Sequence, residues 1–288
     1  MTNNIIWNIF ADQEHNIWLG TDYGISLSRY NSALQFIPIS QITGTGDGNQ
    51  FYSLFRDSKG FYWFGGANGL IRFTDPAGER HDAIWYRMGD KTYPLSHNRI
   101  RHIYEDKEQQ LWIATDGSIN RYDYATRQFI HYNIVDNTGT YNTNWTYYIF
   151  EDTAGQLWIS TCLGGIFVVD KHKLMQSTSG QYIAEQNYSV HNGLSGMFIN
   201  QIIPDNEGNV WVLLYNNKGI DKINPRTREV TKLFADELTG EKSPNYLLCD
   251  EDGLLWVGFH GGVMRINPKT RASRVSPSEV SATTRFYP

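Results

Sequence analysis

The feature that most constrains this chain is a short phrase that occurs six times, an aspartate followed six residues later by a tryptophan. Successive tryptophans lie 45, 49, 46, 53 and 45 residues apart. Self-similarity at this period is typical of propellers, in which each repeat forms one small β-sheet. The phrase therefore constrains the architecture strongly and the chemistry only weakly. The six pairs are Asp12–Trp18, Asp57–Trp63, Asp106–Trp112, Asp152–Trp158, Asp205–Trp211 and Asp250–Trp256.

The third repeat, which starts at Asn98, shows how one unit divides into strands. A short apolar run precedes Asp106, and the runs LWIA, INRYD and QFIHY follow it, separated by polar turns. Four short strands joined by tight turns predict an antiparallel meander, the unit of a propeller blade. We therefore predict an all-β fold, a β-propeller of four-stranded antiparallel blades with six repeats visible. The ring is either six-bladed or an incomplete seven-bladed ring.

The repeat spacing also predicts the domain boundaries. We expect one β-propeller over residues 1–275. The tail, residues 276–288, is expected to lead to a further domain or to add an edge strand to the first blade, because propellers protect their sheet edges. The expected blades are residues 1–45, 46–95, 96–140, 141–193, 194–240 and 241–275.

The aspartate and the tryptophan of the phrase have structural explanations. An Asp side chain accepts hydrogen bonds from backbone N–H groups further along the turn and so closes it. Glycines such as Gly60 and Gly155 supply positive φ three residues before the Trp, whereas His15 and Gln109 predict strain or another turn type there. The Trp ring buries a large area between sheets, and its indole N–H needs a partner. We assign all twelve residues to the scaffold and not to catalysis.

Two further positions recur in every repeat. The residue three before the Asp is always aliphatic, which predicts packing between blades. The residue two after the Trp is small in five repeats, which predicts a close approach of the neighbouring blade. Leu213 breaks this rule, so we expect the fifth repeat to be the least regular. The aliphatic residues are Ile9, Leu54, Ile103, Ile149, Ile202 and Leu247, and the small ones are Gly20, Gly65, Ala114, Ser160 and Gly258.

Composition argues against several classes of partner and site. The formal net charge is −5 and no Lys/Arg run is longer than two residues, so neither nucleic acid nor an anionic membrane surface is an expected partner. Cys162 and Cys249 fall at different repeat positions without a CxxC neighbour, so we expect small hydrophobic side chains and not a disulfide or metal pair. No cofactor and no metal site is predicted. The N-terminal segment lacks the features of a secretory signal, and we expect the chain to be a piece of a longer protein.

The repeated phrase resembles the two-component regulator propeller repeat. It has the form D-x-x-G-x-x-W followed by an aliphatic, a small residue and a Gly-containing turn, as in DTAGQLWISTCLGG (152–165) and DEDGLLWVGFHGG (250–262). The segment HNGLSGMFINQIIPDNEGNVW (191–211) also resembles the sequence that joins successive repeats in that family. The resemblance covers six repeats, which is nearly the whole chain.

The resemblance implies a role in signalling. In that family the repeats build the periplasmic sensor of hybrid histidine kinases of Bacteroidetes, followed by a β-sandwich, a membrane helix, a kinase and a response regulator, and the sensor responds to oligosaccharides. This chain shows no kinase motif, membrane helix or DNA-binding helix-turn-helix. The resemblance thus implies a periplasmic, ligand-sensing fragment. Its implied partners are an oligosaccharide or other small ligand, a neighbouring propeller or β-sandwich domain of the same receptor, and a second copy in a homodimer.

Two sets of irregular residues mark the expected ligand site at one mouth of the propeller. Variable residues on a fixed scaffold are where function is usually placed. Aromatic faces combined with amide and Arg donors suit sugar recognition. The first set, in the turns between the second and third strands, is Tyr23, Asn68, Asp116, Leu163, Asn216 and His260. The second set, five residues before each Asp, is Trp7, Tyr52, Arg101, Tyr147, Asn200 and Asn245.

Other interpretations of these residues remain open. The second set is equally consistent with mixed packing between blades, or with a contact to another domain. Streptogramin lyases are propellers with related phrases that use a His and a metal; His260 is the candidate here, with Asp22 and Asp116 on neighbouring turns, although a second His is not found. The chain could also be a structural module that mediates dimerisation. We predict a binding protein with no catalytic residue.

Overall fold

The chain forms four-stranded antiparallel sheets in two compact units, Met1–Asn187 and Tyr188–Pro288. The fold class is the predicted one, an all-β propeller fold, and the described residues form six four-stranded blades. The computed structural model describes residues 6–21, 24–29, 34–38, 50–74, 82–92, 94–178, 180–215, 219–234, 238, 244–259 and 262–277.

The first unit contains sheets one to four, and the strands of each sheet pair in chain order. Sheet one comprises β1 (Ile6–Ala11), β2 (Ile17–Thr21), β3 (Gly24–Ser28) and β4 (Leu34–Pro38). Sheet two comprises β5 (Phe51–Arg56), β6 (Tyr62–Gly66), β7 (Gly69–Phe73) and β8 (Ile84–Tyr86). Sheet three comprises β9 (Ile100–Glu105), β10 (Leu111–Thr115), β11 (Ser118–Asp123) and β12 (Gln128–Tyr132). Sheet four comprises β14 (Thr146–Glu151), β15 (Gln156–Thr161), β16 (Ile166–Asp170) and β18 (Gln186–Tyr188).

The second unit contains sheets five and six, built in the same way. The last strand of sheet six pairs Ser276 and Pro277 with the strand before it, so the first two tail residues belong to sheet six. The rest of the tail lies outside the described residues. Sheet five comprises β19 (Ile199–Pro204), β20 (Val210–Leu214), β21 (Ile220–Asn224) and β22 (Glu229–Leu233). Sheet six comprises β23 (Pro244–Cys249), β24 (Leu255–Phe259), β25 (Gly262–Ile266) and β26 (Ser273–Pro277).

Three short elements were not predicted from the repeat. A parallel pair joins β13 (Ile134–Val135) to β17 (Tyr182–Ile183). Helix α1 (Lys171–Gln176) follows the third strand of sheet four, and its N-cap Asp170 accepts a hydrogen bond from the backbone N–H of Lys173 at 3.0 Å. A 3₁₀ turn covers Val190–Asn192. Strand β13 and the 3₁₀ turn lie in connections between sheets, whereas helix α1 and β17 lie in the long connection between the third and fourth strands of sheet four.

Each aspartate of the phrase closes its turn and also holds the tryptophan. In sheet two, Oδ1 of Asp57 accepts the backbone N–H groups of Lys59 and Phe61 at 3.0 and 2.8 Å. Its Oδ2 accepts the indole N–H of Trp63 at 2.7 Å. The indole bond recurs in all six repeats, at distances from 2.7 to 3.0 Å. The six-residue spacing therefore exists because one carboxylate serves both the turn and the buried ring.

Positive φ before the tryptophan occurs with and without glycine. Gly60 and Gly155 have φ of 87° and 79°. His15 and Gln109 adopt φ of 62° at the same place. A left-handed backbone costs a non-glycine residue about 1–2 kcal/mol, so the predicted strain in these two turns is present.

The aliphatic position packs onto the preceding sheet, as predicted, except in sheet one. A Cβ at Gly20 would lie 3.5 Å from Leu54 of sheet two, and one at Gly65 would lie 3.3 Å from Ile103 of sheet three. Ile9, by contrast, is 64% exposed. The prediction is therefore wrong for Ile9, which lies in the first sheet of its unit. Trp256 is likewise only half-buried, whereas the other five tryptophans of the phrase are buried.

The expectation that the fifth repeat is the least regular is wrong. Its four strands pair in the same order as the others, and Leu213 is fully buried. Gly20 and Gly65 face the bulky Phe51 and Ile100 of the next sheet. The residue at the corresponding place after Leu213 is the smaller Pro244. A large residue on one side is thus matched by a small one on the other.

Candidate functional site

Every residue of the second predicted set is the extra residue of a β-bulge in the first strand of its sheet. In sheet two, Phe51 pairs with Gly66 and Ser53 pairs with Gly65, which leaves Tyr52 between them. A bulge bends the strand and re-aims the side chain of the extra residue, and bulges are over-represented next to active sites. The predicted positions thus share one backbone feature. The bulged residues are Trp7, Tyr52, Arg101, Tyr147, Asn200 and Asn245.

In the first unit the four bulged side chains contact one another in chain order. The Trp7 and Tyr52 rings meet edge to face with their centroids 5.4 Å apart. The guanidinium carbon of Arg101 lies 5.9 Å from the Tyr52 ring centroid and 4.4 Å from that of Tyr147. Trp7 is 48% exposed and the other three are partly exposed. We call Trp7, Tyr52, Arg101 and Tyr147 the bulge row.

Arg101 joins the two predicted sets, because its partner Asp116 lies in the turn between β10 and β11. Its Nε is 2.7 Å from Oδ1 of Asp116, and its Nη2 is 3.2 Å from Oδ2. Burial lowers the pKa of Arg101, but the hydrogen bonds to Asp116 and the nearby phenol and carboxylate groups outweigh it, so the pKa is raised. Arg99 lies 3.6 Å from the same carboxylate. Asp116 therefore fixes the guanidinium in a forked geometry between the two tyrosine rings.

Tyr147 and Cys162 lie beside this ion pair and are both neutral at ordinary pH. Burial raises the pKa of the Tyr147 phenol. Burial also raises the pKa of the Cys162 thiol. A buried thiol with a raised pKa is a poor nucleophile, because the thiolate is the reactive form. Both Cys162 and Cys249 are free thiols.

The turns of the first set are hydrogen-bonded to the segments that lead into the first strands. Because the second strand runs antiparallel to the first, its final turn returns to the end where the first strand begins. Both sets therefore lie at the same end of each sheet, which we call the bulge end. In each bond the backbone N–H of the turn donates to a carbonyl before the first strand: Ala67 to Gln50 at 2.9 Å, Asp116 to Arg99 at 3.3 Å, Cys162 to Trp145 at 2.9 Å and Tyr215 to Phe198 at 2.9 Å.

Asn68, in the turn of sheet two, is exposed and acts through its backbone. Its carbonyl accepts the indole N–H of Trp85 at 3.1 Å and Nε of Arg87 at 3.2 Å. The Arg87 guanidinium lies 3.7 Å from the Trp85 ring centroid, a stacked cation–π contact. Leu163, in the turn of sheet four, is exposed. The bulge end thus presents Leu163 in one turn and the Trp85 indole and Arg87 guanidinium hydrogen-bonded to another.

In the second unit the bulged residues have a more structural role. Nδ2 of Asn200 donates to the backbone carbonyl of Asn245 at 3.3 Å, which ties the two first strands together. The neighbouring Gln201 exchanges two hydrogen bonds with the backbone of Leu247, at 3.0 and 2.8 Å. For Asn200, packing between sheets accounts for the residue type. Asn245 is exposed.

Three predicted site residues, Tyr23, Asn216 and His260, lie outside the described residues, as does Asp22. The lyase-like arrangement around His260 is therefore untested. Within the part of the chain that the structure describes, there is no cluster of three His, Cys, Asp or Glu residues with metal-binding geometry. The helices of this part include none that is long and apolar enough to span a membrane.

Sequence analysis missed Trp145, which lies at the bulge end and is 48% exposed. A usable signal was present in the sequence. Of nine tryptophans, six belong to the repeated phrase, and the remaining three are Trp7, Trp85 and Trp145. All three lie at the bulge end, as the contacts of Trp7 with Tyr52, of Trp85 with Asn68 and of Trp145 with Cys162 show. A tryptophan that the scaffold does not require is a better site candidate than one that it does.

A family model described as "Two component regulator propeller" matches residues 1–23, 45–68 and 94–117. Each matched segment contains one copy of the Asp–Trp phrase, from the first three repeats. No curated protein sequence matches the chain significantly.

Among solved structures, the extracellular domain of a putative hybrid two-component system from B. thetaiotaomicron is 97% identical, with a TM-score of 0.83. The match covers 96% of this chain and 37% of that one, so the chain spans well under half of it. A second such extracellular domain from the same organism is 18% identical, with a TM-score of 0.74 and coverage of 96% and 34%. Virginiamycin B lyase from Staphylococcus aureus is 16% identical, with a TM-score of 0.69 and coverage of 96% and 85%. The last two show a shared fold alone.

Proposed function

Since this chain belongs to the two-component regulator propeller family, we propose that it is part of the ligand-sensing, extracytoplasmic region of a signalling receptor. The nearly identical solved structure is described as an extracellular domain of a hybrid two-component system. The chain corresponds to about a third of that domain. The output of the receptor would therefore be carried by parts of the protein beyond these repeats.

The ligand that suits the bulge end best is an oligosaccharide. The bulge row offers the aromatic faces of Trp7, Tyr52 and Tyr147, and apolar faces of sugar rings stack on such surfaces. Arg101, held by Asp116, offers fixed N–H donors to hydroxyl groups. The observation that carries this proposal is the bulge itself, because the same backbone device turns one variable side chain out of each first strand.

Binding without chemistry is the mode of action that these groups support. The one carboxylate in the bulge-row cluster, Asp116, is engaged by two arginines. The nearby thiol and phenol have raised pKa values and so stay protonated at neutral pH. The site residues are therefore suited to hold a ligand and not to attack it. The partners that follow are an oligosaccharide and the neighbouring domains of the same receptor.

Titration calorimetry of the purified chain tests this proposal. Suitable probes are short neutral and acidic oligosaccharides released from plant and animal polysaccharides, titrated one at a time. We expect at least one to bind with a measurable heat. A folded chain that binds none of them contradicts the proposal. A mass measurement with and without the bound sugar separates sensing from dimerisation alone, because a purely structural module would self-associate without regard to sugar.

A further inference from the structure

Trp145 has a backbone conformation that a bulky residue rarely adopts. Its φ is 57°, in the left-handed region, and its side chain is 48% exposed. For a residue with a Cβ this conformation is destabilising, and such outliers persist only where the surroundings enforce them. Strain of this kind clusters at ligand clamps and active sites.

The blade architecture does not require this conformation. Most of the other left-handed residues recur at equivalent turns of several repeats, as Arg127, Arg228 and Arg271 do between third and fourth strands. Trp145 has described counterparts at the same repeat position in sheets two, three and five. These are Gln50, Arg99 and Phe198, and none of them has a positive φ. The conformation is therefore particular to Trp145.

A hydrogen bond to the neighbouring sheet holds this conformation, because the N–H of Trp145 donates to the carbonyl of Asp116 in sheet three at 3.0 Å. Its carbonyl accepts the N–H of Cys162, in its own sheet four, at 2.9 Å, as the carbonyls of its three counterparts accept equivalent bonds with ordinary φ. The side chains of these two anchors lie against the bulge row, because Asp116 pairs with Arg101 and Cys162 contacts Tyr147. Trp145 is thus fixed to the same two turns that form the predicted site.

We infer that Trp145 is a ligand-contacting residue of the sensor, and that its indole is a stacking surface for a sugar ring, held at the bulge end by a strained backbone before the sugar arrives. This inference rests on the proposed function. An exposed indole supplies a large, flat, apolar face whose immobilisation costs little entropy, because its backbone is already fixed. Preorganisation of the indole for binding would explain why the strained backbone is kept.

The backbone part of the inference is tested without any sugar. Trp145→Gly and Trp145→Ala both remove the indole, but only glycine adopts a left-handed backbone without cost. We expect the glycine variant to have the higher melting temperature. The matched pair Phe198→Gly and Phe198→Ala, at the equivalent position with ordinary φ, should show the opposite order, because glycine there only adds entropy to the unfolded chain. A Trp145→Gly variant that melts below Trp145→Ala overturns the strained conformation.

The contact part is tested with the oligosaccharide that binds the wild type tightest in calorimetry. We expect Trp145→Gly and Trp145→Ala to weaken binding by about tenfold or more, equivalent to about 1.4 kcal/mol. Trp145→Phe should retain most of the affinity, because it keeps an aromatic face. Arg127→Gly, at the opposite end of sheet three, should leave binding unchanged. Equal binding by wild type and Trp145→Ala overturns this inference while the proposed function stands. If no oligosaccharide binds the wild type, both fail together.

Discussion

At the residue scale, the aspartate of the phrase accepts several hydrogen bonds at once and so links the turn, the tryptophan and the next sheet. Asp57 closes its own turn, accepts the indole N–H of Trp63 and also accepts the hydroxyl of Tyr124 from the next sheet at 2.6 Å. Sheet one repeats this, with Asp12 accepting the Tyr62 hydroxyl at 3.4 Å. Removing such a carboxylate would leave buried donors without an acceptor, and an unpaired buried donor destabilises the fold by more than a hydrogen bond contributes on average.

We therefore expect Asp57→Ala to lower the free energy of unfolding by about 3 kcal/mol, from the lost turn closure and the unpaired indole and phenol groups. Urea denaturation monitored by fluorescence measures the change. Asp250→Ala is the matched control, because Trp256 is half-exposed and water can replace its acceptor. Equal losses in the two variants would contradict the claim that burial sets the cost.

The same carboxylates make stability depend on acid pH. Burial raises the pKa of Asp12, but the hydrogen bonds donated by Trp18 and Asn16 lower it by more, so the pKa lies below its ordinary value of 3.8. The pKa of Asp250 is lowered chiefly by the hydrogen bond from Trp256. A carboxyl whose pKa is lower in the folded state stabilises the fold above its ordinary pKa, and this contribution is lost as pH falls through the folded pKa.

Melting temperature should therefore fall as the pH drops below about 4. Asp12→Asn should be less stable at neutral pH, because its Nδ2 cannot accept the N–H groups of Trp18 and Asn16, but it should show a shallower fall since the amide does not titrate. Thermal denaturation at a series of acid pH values compares the two chains. An identical slope in wild type and Asp12→Asn would show that the folded-state pKa of Asp12 is not lowered.

At the element scale, helix α1 introduces an interaction that is not found in the described part of any other repeat. Its first residue, Lys171, is fully buried, with its Nζ 2.8 Å from Glu151 and 3.2 Å from Asp106. Burial lowers the pKa of Lys171, but the hydrogen bonds to these carboxylates raise it by more, so the amine is charged. Lys171 thus takes the place next to Asp106 that tyrosines take next to Asp12 and Asp57, and it ties sheet three to sheet four.

We expect Lys171→Met to destabilise the chain by about 3 kcal/mol or more, because it leaves two buried carboxylates without their cation. Lys173→Met, on the same helix but exposed, should change stability by less than about 0.5 kcal/mol. Chemical denaturation of both variants checks this difference. If Lys171→Met were as stable as the wild type, the buried ion cluster would not hold the two sheets together.

The elements of a blade could be predicted from sequence, because each strand and turn of the phrase is specified locally. The third repeat illustrates this, since the predicted runs LWIA, INRYD and QFIHY correspond to β10, β11 and β12. Helix α1 was missed because it occurs once, in a connection without periodicity. Ile9 was assigned to the interior because its repeat position is buried elsewhere, although burial of a strand residue depends on contacts that its own sequence does not specify.

The geometry of the candidate site could be predicted only in part, for a similar reason. Irregular residue types pointed to Tyr52, Arg101 and Tyr147, but the bulge that unites them is defined by pairing across strands. The link between Arg101 and Asp116 also depends on the fold that brings the strand and the turn together. Trp145 was missed because its conformation is linked to a hydrogen bond with the turn of the neighbouring sheet, at Asp116. Local sequence carries no direct record of such contacts.

At the scale of the whole molecule, the structural residues and the proposed binding residues occupy different places in the same repeat. The phrase tryptophans pack within and between sheets, and the variable residues lie in the bulges and turns at one end of each sheet. A scaffold of this kind lets the ligand change by substitution at the bulge end without disturbing the turns that hold the blades. The sensing role proposed here requires only that a bound sugar contact this end.

The proposal that the bulge row binds a sugar is tested by calorimetric titration of the double variant Tyr52→Ala plus Arg101→Ala. The ligand is the oligosaccharide that binds the wild type tightest. We expect affinity to fall by at least about tenfold, because a stacking ring and a fixed donor are both lost. Tyr52→Phe, which keeps the ring, should bind nearly as well as the wild type, and circular dichroism should show that all variants are folded. Unchanged binding by the folded double variant would contradict the account.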